Sequence, residues 1–450
     1  MNDISSLLPQ ETQTVTAIYK WHKDRGDAEP RRGYLGASII GDPCDRALWY
    51  MFRYCCNPDF SGRLYRLFQT GHLEEPRMIE ELRGIGCTVH DLDPETGQQF
   101  EMKELGGHFS GHMDGCVLGV LEAPKTWHVA EFKTMGGTED QHSKDFEKVK
   151  KDGVQKAKPV HYAQMQAYMG STGMTRALYE CKKKATDEIH TERVRFDPKY
   201  YAWLMERAER IIRAQMPPER CANRPDSFSC RFCDAYKMCW GTADVALPIP
   251  CRSCRSCCHA TPEIDKDEDW ARWSCAKHNK DIRLEDQDAG CDSHLIIPGL
   301  ISFAEPTDSG DDWIEFTNTD DGAVWKHGAS DGMWSTDELM KTPGPIVGIP
   351  AVNVVKESFA GEVDHIEGLK ELTLLERYDP FDSERLWDGD TGDAANEALV
   401  KVLSIADYTD IPDPTASFED DTHTAFEFAH QFLLVVYKAE EHVAIWKGKE

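Results

Sequence analysis

Apolar residues change period several times along the first half of the chain, and each change marks an element. Residues 1–30 read as a mostly helical lead-in with Ile18, Tyr19 and Trp21 as its apolar positions. Residues 36–56 read as a loop, then a helix starting near Asp42-Pro43. Over 64–84, Leu67, Leu73, Met78, Ile79 and Leu82 form one broad helical face, and Gly84 and Gly86 end it. Alternation follows. Segment 87–92 is a short strand, Gly106-Gly107 a turn, 108–121 a strand bent at Gly115, and 127–134 a further strand closed by Gly136-Gly137. Helices are expected at 139–151 and 159–170, strands at 177–183 and 189–196, and a long helix at 198–215. Helix, three strands, helix, strand predicts an α/β core in which helices flank a small mixed sheet.

Beyond it, Leu247-Pro248-Ile249-Pro250 punctuates the chain as a linker. A Cys/His-rich stretch occupies 251–300 and an acidic α+β region 301–450. In that last region 313–316 and 323–326 predict a hairpin across Asp320-Asp321-Gly322, and 393–407 and 423–445 read as helical. The expected domains are therefore 1–245, 251–300 and 301–450, because 450 residues exceed one compact core.

Charge sharpens this division. The chain carries a formal net charge of −28, yet residues 1–250 hold 34 Lys and Arg against 36 Asp and Glu, and residues 251–450 hold 17 against 43. The first half is nearly neutral, with basic runs at Lys182-Lys183-Lys184 and over 148–158 that could follow a phosphate backbone or simply be solvated faces. The acidic half offers three readings: a solvated surface, a DNA mimic restraining the first half, or a dock for a basic protein partner. With no signal-peptide core and no apolar run long enough to span a bilayer, a cytoplasmic protein with no membrane partner is expected. Sixteen cysteines in a reducing compartment then read as metal ligands rather than disulfides.

Four of them are split widely. Cys44 stands near the start, and Cys230, Cys233 and Cys239 follow as C-x2-C-x5-C. Four thiolates suit an iron–sulfur cluster. Joining positions 44 and 230 closes a loop of 186 residues, which costs on the order of 4–5 kcal/mol of chain entropy by analogy with a disulfide. A cluster there acts first as a clasp. Cys55 and Cys56 lie close enough in sequence to compete with Cys44. The second group contains Cys251, Cys254, Cys257, Cys258, Cys275, His278 and Cys291. Cys254, Cys257, Cys275 and Cys291 are the expected Zn²⁺ tetrahedron, with Cys251 and His278 as substitutes. Such a module is more often structural than a recognition surface.

Between the split cysteines lies a chemical series. Asp114 sits at a strand bend in Gly-His-Met-Asp-Gly, and Glu131 and Lys133, two apart on the next strand, share a face. Two carboxylates suit Mg²⁺ or Mn²⁺, and a cation there can polarise a phosphodiester and activate water. Lys133 would orient that water or stabilise developing charge. His72 could add an imidazole ligand, and Glu75 could hold a metal-bound water. Gln164 and Tyr168, four apart, share a helix face and could contact DNA or brace Lys133. Alone, a Glu-x-Lys is usually a solvated ion pair, an Asp-Gly a turn and a Gln-x3-Tyr structural. Their order and strand context together raise the functional reading.

At these residues the chain resembles the RecB-like branch of the PD-(D/E)xK nucleases over about 35–241. Its cysteine pattern is similar to that of the iron–sulfur members, the CRISPR-associated RecB-like exonucleases and the nuclease domain of AddB. Glu75 and segment 159–169 also resemble phage recombination exonucleases of the YqaJ type. The resemblance implies a restriction-endonuclease-like core and a 4Fe–4S cluster on Cys44, Cys230, Cys233 and Cys239. It also implies a phage or bacterial exonuclease acting on DNA with free ends or single strands in recombination, repair or processing. Two other classes remain open: a DNA-binding recombination or packaging factor with a decayed site, and a regulatory interaction protein whose acidic half does the work. The intact Asp114, Glu131 and Lys133 set argues against decay.

Overall fold

The computed structural model describes residues 13–56, 60–136, 143–231, 233–241, 249–265, 267–319, 322–341, 347 and 356, and five strands between 384 and 447. The chain divides into two compact units, 18–362 and 1–17 with 363–450.

The first unit is mixed α/β. Helix α1 (Gln13–Asp27), whose residues from Ile18 onward belong to this unit, buries no side chain; Trp21 is half exposed and Arg25 stacks on it at 4.6 Å. Strand β1 (Leu35–Gly36) leads to α2 (Asp45–Phe52), then α3 (Gly62–Gly84), β2 (Thr88–His90), β3 (Glu101–Glu104), β4 (Phe109–His112), β5 (Gly115–Leu118) and β6 (His128–Met135). Helices α4 (Ser143–Asp152), α5 (Val154–Ala157) and α6 (Pro159–Thr172) carry the chain to β7 (Arg176–Lys183), β8 (Ile189–Arg195) and α7 (Pro198–Arg213). The main sheet has order β2-β5-β6-β7-β8; only β6 and β7 run parallel, because α4–α6 form their crossover. A smaller sheet, β1-β4-β3, lies alongside in sequence.

The expected strand over 108–121 is two strands in two different sheets, and the bend between them is where Asp114 stands. Gly115 is required there: a Cβ would meet the His90 carbonyl oxygen at 2.6 Å. The expected face of α3 is buried only in its second half. Met78, Ile79 and Leu82 pack on Val89, Val117, Phe132 and Leu178, whereas Leu67 and Leu73 are 40 % and 70 % exposed. Helical spacing alone could not show that the first half of α3 projects past the sheet.

The cysteine-rich stretch belongs to the same compact unit. Helix α8 (Tyr236–Trp240) precedes it, and its strands β9 (Ala260–Pro262), β10 (Trp273–Cys275) and β11 (Lys280–Ile282) form an antiparallel sheet followed by α9 (Leu284–Gln287). Two fully buried arginines tie it to the core. Arg53 donates to the carbonyls of Ala214 and Ala260, and Arg255 to those of Phe52 and Gly33 while its ring partners are Phe52, Tyr54 and Trp273. Burial lowers both guanidinium pKa values to about 10. The hairpin expected across Gly322 forms as β13 (Trp313–Asn318) and β14 (Val324–Gly328), with β12 (Ala304–Ser309) at its edge; α10 (Thr336–Lys341) follows. Asp320 and Asp321 fall outside the described residues, as do Leu247 and Pro248.

The second unit contains an antiparallel sheet of order β15-β19-β18-β17-β16: β15 (Glu384–Asp390), β16 (Ala416–Glu419), β17 (His423–Phe428), β18 (Phe432–Tyr437) and β19 (His442–Lys447). The helical expectation for 423–445 is therefore wrong. Three six-residue runs rich in Val, Ile, Phe, Trp and Tyr, separated by polar breaks, suit neighbouring strands better than one long helix. The expected helix at 393–407 lies outside the described residues.

Candidate active site and cysteine clusters

Glu131 and Lys133 project from the same face of β6, the face opposite α3. Glu131 is fully buried and the Lys133 ammonium lies against it. Asp114 Oδ2 accepts a 2.7 Å hydrogen bond from the Phe132 amide, so the bend after β4 is stapled to β6 between the other two residues. Neither Glu131 carboxylate oxygen has a hydrogen-bond donor among the described residues apart from that ammonium. Burial pushes the Glu131 carboxyl up to about 8; Lys133 opposes this, and Asp114 and Glu75 add to it. Burial works against the Lys133 charge too, but Glu131 and Asp114 outweigh it and raise its pKa. Glu75, on α3, is raised by burial and by Asp114, against the pull of His72 and Lys133. His72 Nδ1 stands 3.7 Å from Glu75 Oε1, with its side chain largely in solvent. Glu75, His72 and Lys133 line an open cleft of about 1340 Å³, with Arg25, Arg31 and Lys184 elsewhere on its walls.

Gln164 and Tyr168 act on this site through the backbone. Tyr168 Oη donates a 2.7 Å hydrogen bond to the His112 carbonyl, two residues before Asp114, and receives one from Gln164 Nε2 at 3.3 Å. They hold the end of β4, leaving Gln164 Oε1 buried without a partner among the described residues. His161 is a neighbour that the sequence reading missed. Its Nδ1 meets Tyr179 Oη at 2.8 Å, and burial with the nearby Lys133 lowers its pKa to about 3, so it stays neutral. Its position at the start of α6, three residues before Gln164, was the available signal.

The basic runs are mostly consumed by ion pairs. Lys182 contacts Glu74 at 2.6 Å and Asp187 at 2.5 Å; Lys183 pairs with Glu147; Lys148 and Lys158 share Asp145, Lys150 pairs with Glu188 and Lys156 with Asp152. Of the triplet, Lys184 faces the cleft.

Cys44, Cys230, Cys233 and Cys239 line one small cavity together with Cys221. Cys44 is placed by the hydrogen bond its backbone N–H donates to Asp42 Oδ1 and by Arg207, which reaches the carbonyls of Ile40 and Asp42 and the Asp45 carboxylate. Burial favours neutral Asp45, but Arg210 and Arg207 prevail and lower its pKa. Cys55 and Cys56 do not line this cavity; Cys56 lines the cleft. Cys254, Cys257, Cys275 and Cys291 line a second cavity with His259 and His278, whose Nε2 is 3.5 Å from Cys291 Sγ, while Cys251 is exposed outside it. Among the described residues no three His, Cys, Asp or Glu side chains converge tightly enough to hold a metal ion as they stand. The donor chemistry nevertheless fits at each place: unmet carboxylate oxygens at Glu131, soft thiols around the first cavity, and thiols with imidazole around the second.

No family model and no curated protein matches the sequence. Among solved structures, the chain is distantly similar to SSO0001, at 13 % identity over 52 % of this chain and 98 % of that one, with a TM-score of 0.31. It is also distantly similar to an alkaline exonuclease, LHK-Exo from Laribacter hongkongensis, at 16 % identity over 43 % of this chain and 90 % of that one, with a TM-score of 0.27. For LHK-Exo in complex with dAMP the values are 15 %, 44 %, 90 % and 0.28. Among the described residues no helix is long and apolar enough to cross a membrane.

Proposed function

We propose that the chain is a divalent-cation-dependent deoxyribonuclease acting as an exonuclease on DNA, in the manner of the RecB-like PD-(D/E)xK enzymes. The observation that carries this reading is the Glu131 carboxylate. It is wholly buried, flanked by Asp114 and Lys133, without other donors among the described residues, and next to an open cleft. A buried carboxyl normally finds donors. One left unmet beside other carboxylates is a candidate ligand with a physical reason.

In this reading Asp114 and Glu131 hold Mg²⁺ or Mn²⁺, with His72 and Glu75 at the cleft-side margin. The cation, when bound, polarises the phosphodiester and lowers the pKa of the attacking water. Lys133 stays protonated because Glu131 and Asp114 outweigh its burial, so it orients water or offsets charge on the phosphate. Tyr168 fixes the backbone at His112 and thereby sets where Asp114 stands. Cys44, Cys230, Cys233 and Cys239 hold a 4Fe–4S cluster, which clasps the two ends of the nuclease core. Cys254, Cys257, Cys275 and Cys291 hold structural Zn²⁺, with His278 as the substitute. The acidic C-terminal part tunes DNA affinity or docks a protein partner.

Anaerobic purification, a visible spectrum and a digest of end-labelled DNA with Mg²⁺ or Mn²⁺ test the proposal. Brown protein with about four irons per chain and cation-dependent release of nucleotides supports it. Colourless protein with zinc as its only metal at these cysteines removes the cluster assignment. Cleavage unaffected by a chelator removes the active-site assignment.

A further inference from the structure

The cavity at the proposed cluster has five thiols, one more than a four-cysteine cluster uses. The fifth, Cys221, lies outside every motif that the sequence offered. Its placement is built by its neighbours. Arg220 donates a 2.7 Å hydrogen bond to the carbonyl of Cys239 and stacks over Trp240 at 4.4 Å, and Arg46 donates a 2.8 Å bond to the Pro218 carbonyl. Arg46 belongs to the same helix that Cys44 caps, and Cys239 lies in α8. The segment carrying Cys221 is thus tied on one side to the helix that begins at Cys44 and on the other to the last cysteine of the C-x2-C-x5-C motif. Among the five, Cys44, Cys230 and Cys239 are buried and Cys233 is half-buried, whereas Cys221 is exposed. Cys44 is its main electrostatic partner and Cys230 the next.

We infer that Cys221 is a reserve ligand of the iron–sulfur site, able to take the coordination position of Cys44 from the solvent side. This rests on the cluster reading above. The exchange is a ligand substitution with no change of oxidation state. With the cluster bound, the Cys221 thiol would give its proton to water and hold the iron as thiolate, and Cys44 would be released as a protonated thiol. Charge and softness at the metal are unchanged, because one thiolate replaces another. The four motif thiols are buried or half-buried, so solvent reaches them less readily than it reaches Cys221. A fifth thiol on the same cavity and open to solvent would keep four thiolates on the iron when Cys44 is lost.

The test uses the full chain, purified without oxygen, as wild type, C221S, C44S and the C44S/C221S double variant. Iron and acid-labile sulfide are measured, together with the electron paramagnetic resonance spectrum of the reduced protein. Bleaching of the visible band by a ferrous chelator is followed for wild type and C221S. C44S should keep most of its iron with a shifted resonance spectrum, and the double variant should lose it. C221S should start fully loaded but bleach several times faster than wild type. Should C44S prove insoluble, the bleaching comparison decides alone, since C221S retains all four motif cysteines. Equal bleaching rates, or a soluble C44S as iron-poor as the double variant, overturn the inference while leaving the cluster in place. Iron-free wild type overturns the cluster itself.

Discussion

Lys133 and Lys182 stand on the parallel strands β6 and β7, where Lys182 is the register partner of Thr134. They are neighbours on opposite faces of one sheet, and their surroundings differ in kind. Lys182 is shared between Glu74 and Asp187, and Arg77 closes the network with a 2.8 Å contact to Asp187. Two cations meet three carboxylates there, Glu74, Glu81 and Asp187; the Lys182 side chain is buried, whereas Arg77, Glu81 and Asp187 reach water. Lys133 faces Glu131, Asp114 and Glu75, and the central carboxylate is sealed from solvent. One cation there meets three acids in a poorly solvated place. The first arrangement is what a stable surface network needs. With all its acids ionised the second has two more acids than cations, against one more in the first; without a divalent cation Glu131 keeps its proton, and a divalent cation would balance its ionised form.

The largest effect that would break this comparison comes from substitution. D114A, E131A or K133A should each lower cation-dependent DNA cleavage by about 10²-fold or more, the scale of losing one preorganised charge. K182A should leave the cleavage rate near that of wild type and lower the melting temperature instead. Rates from end-labelled DNA together with melting curves separate the two, and equal loss of activity from K133A and K182A would remove the distinction.

Acidity sharpens it next. The Glu131 carboxyl titrates near pH 8 in the folded chain against 4.5 ordinarily. The folded state therefore holds this proton more tightly than the unfolded state does. Stability from this group is fully present below about pH 4.5 and is lost as pH rises through about 8. In the absence of divalent cations, E131Q should gain stability relative to wild type across that window. Mg²⁺ or Mn²⁺ should raise the melting temperature of wild type and not of E131Q. A cation shift of the same size in E131Q would place the cation elsewhere.

A smaller effect is expected at Tyr168. Y168F removes the hydrogen bond to the His112 carbonyl and leaves the ring in place, so it should lower kcat several-fold with little change in KM. An unchanged kcat would mean that the end of β4 holds Asp114 without help.

The smallest effect concerns the acidic end. Ending the chain near residue 362 keeps the first compact unit, whereas ending near 300 removes His327 and Thr336, which bond the Ile296 amide and the His294 ring. The longer truncation product should cut DNA at least as well as the full chain, with a gain that shrinks at high salt. Loss of cleavage in a folded, iron-loaded 1–362 chain would make the acidic end part of substrate handling.

The sequence alone marked the period changes that became β6, β7, β8, α6 and α7, because each has enough local alternation or helical spacing to be read without its partners, even where, as in β8, only one residue is buried. It also paired Glu131 with Lys133, since alternation along a strand puts both on one face. It failed where the outcome depends on distant partners. Leu67 and Leu73 keep helical spacing but have no sheet beneath them. The strands at 423–428, 432–437 and 442–447 read as helix when apolar content is weighed ahead of the polar breaks between the three runs, and strand pairing decides their state. Lys182 and Lys133 look alike as residues in a basic or charged run. Only the tertiary structure gave one of them two accessible acids and left the other against a carboxylate cut off from water. It alone also carried Cys221 to the wall of a cavity shared with Cys44, 177 positions away in the chain. Solvation and long-range closure are properties of the folded surface, and a sequence states neither.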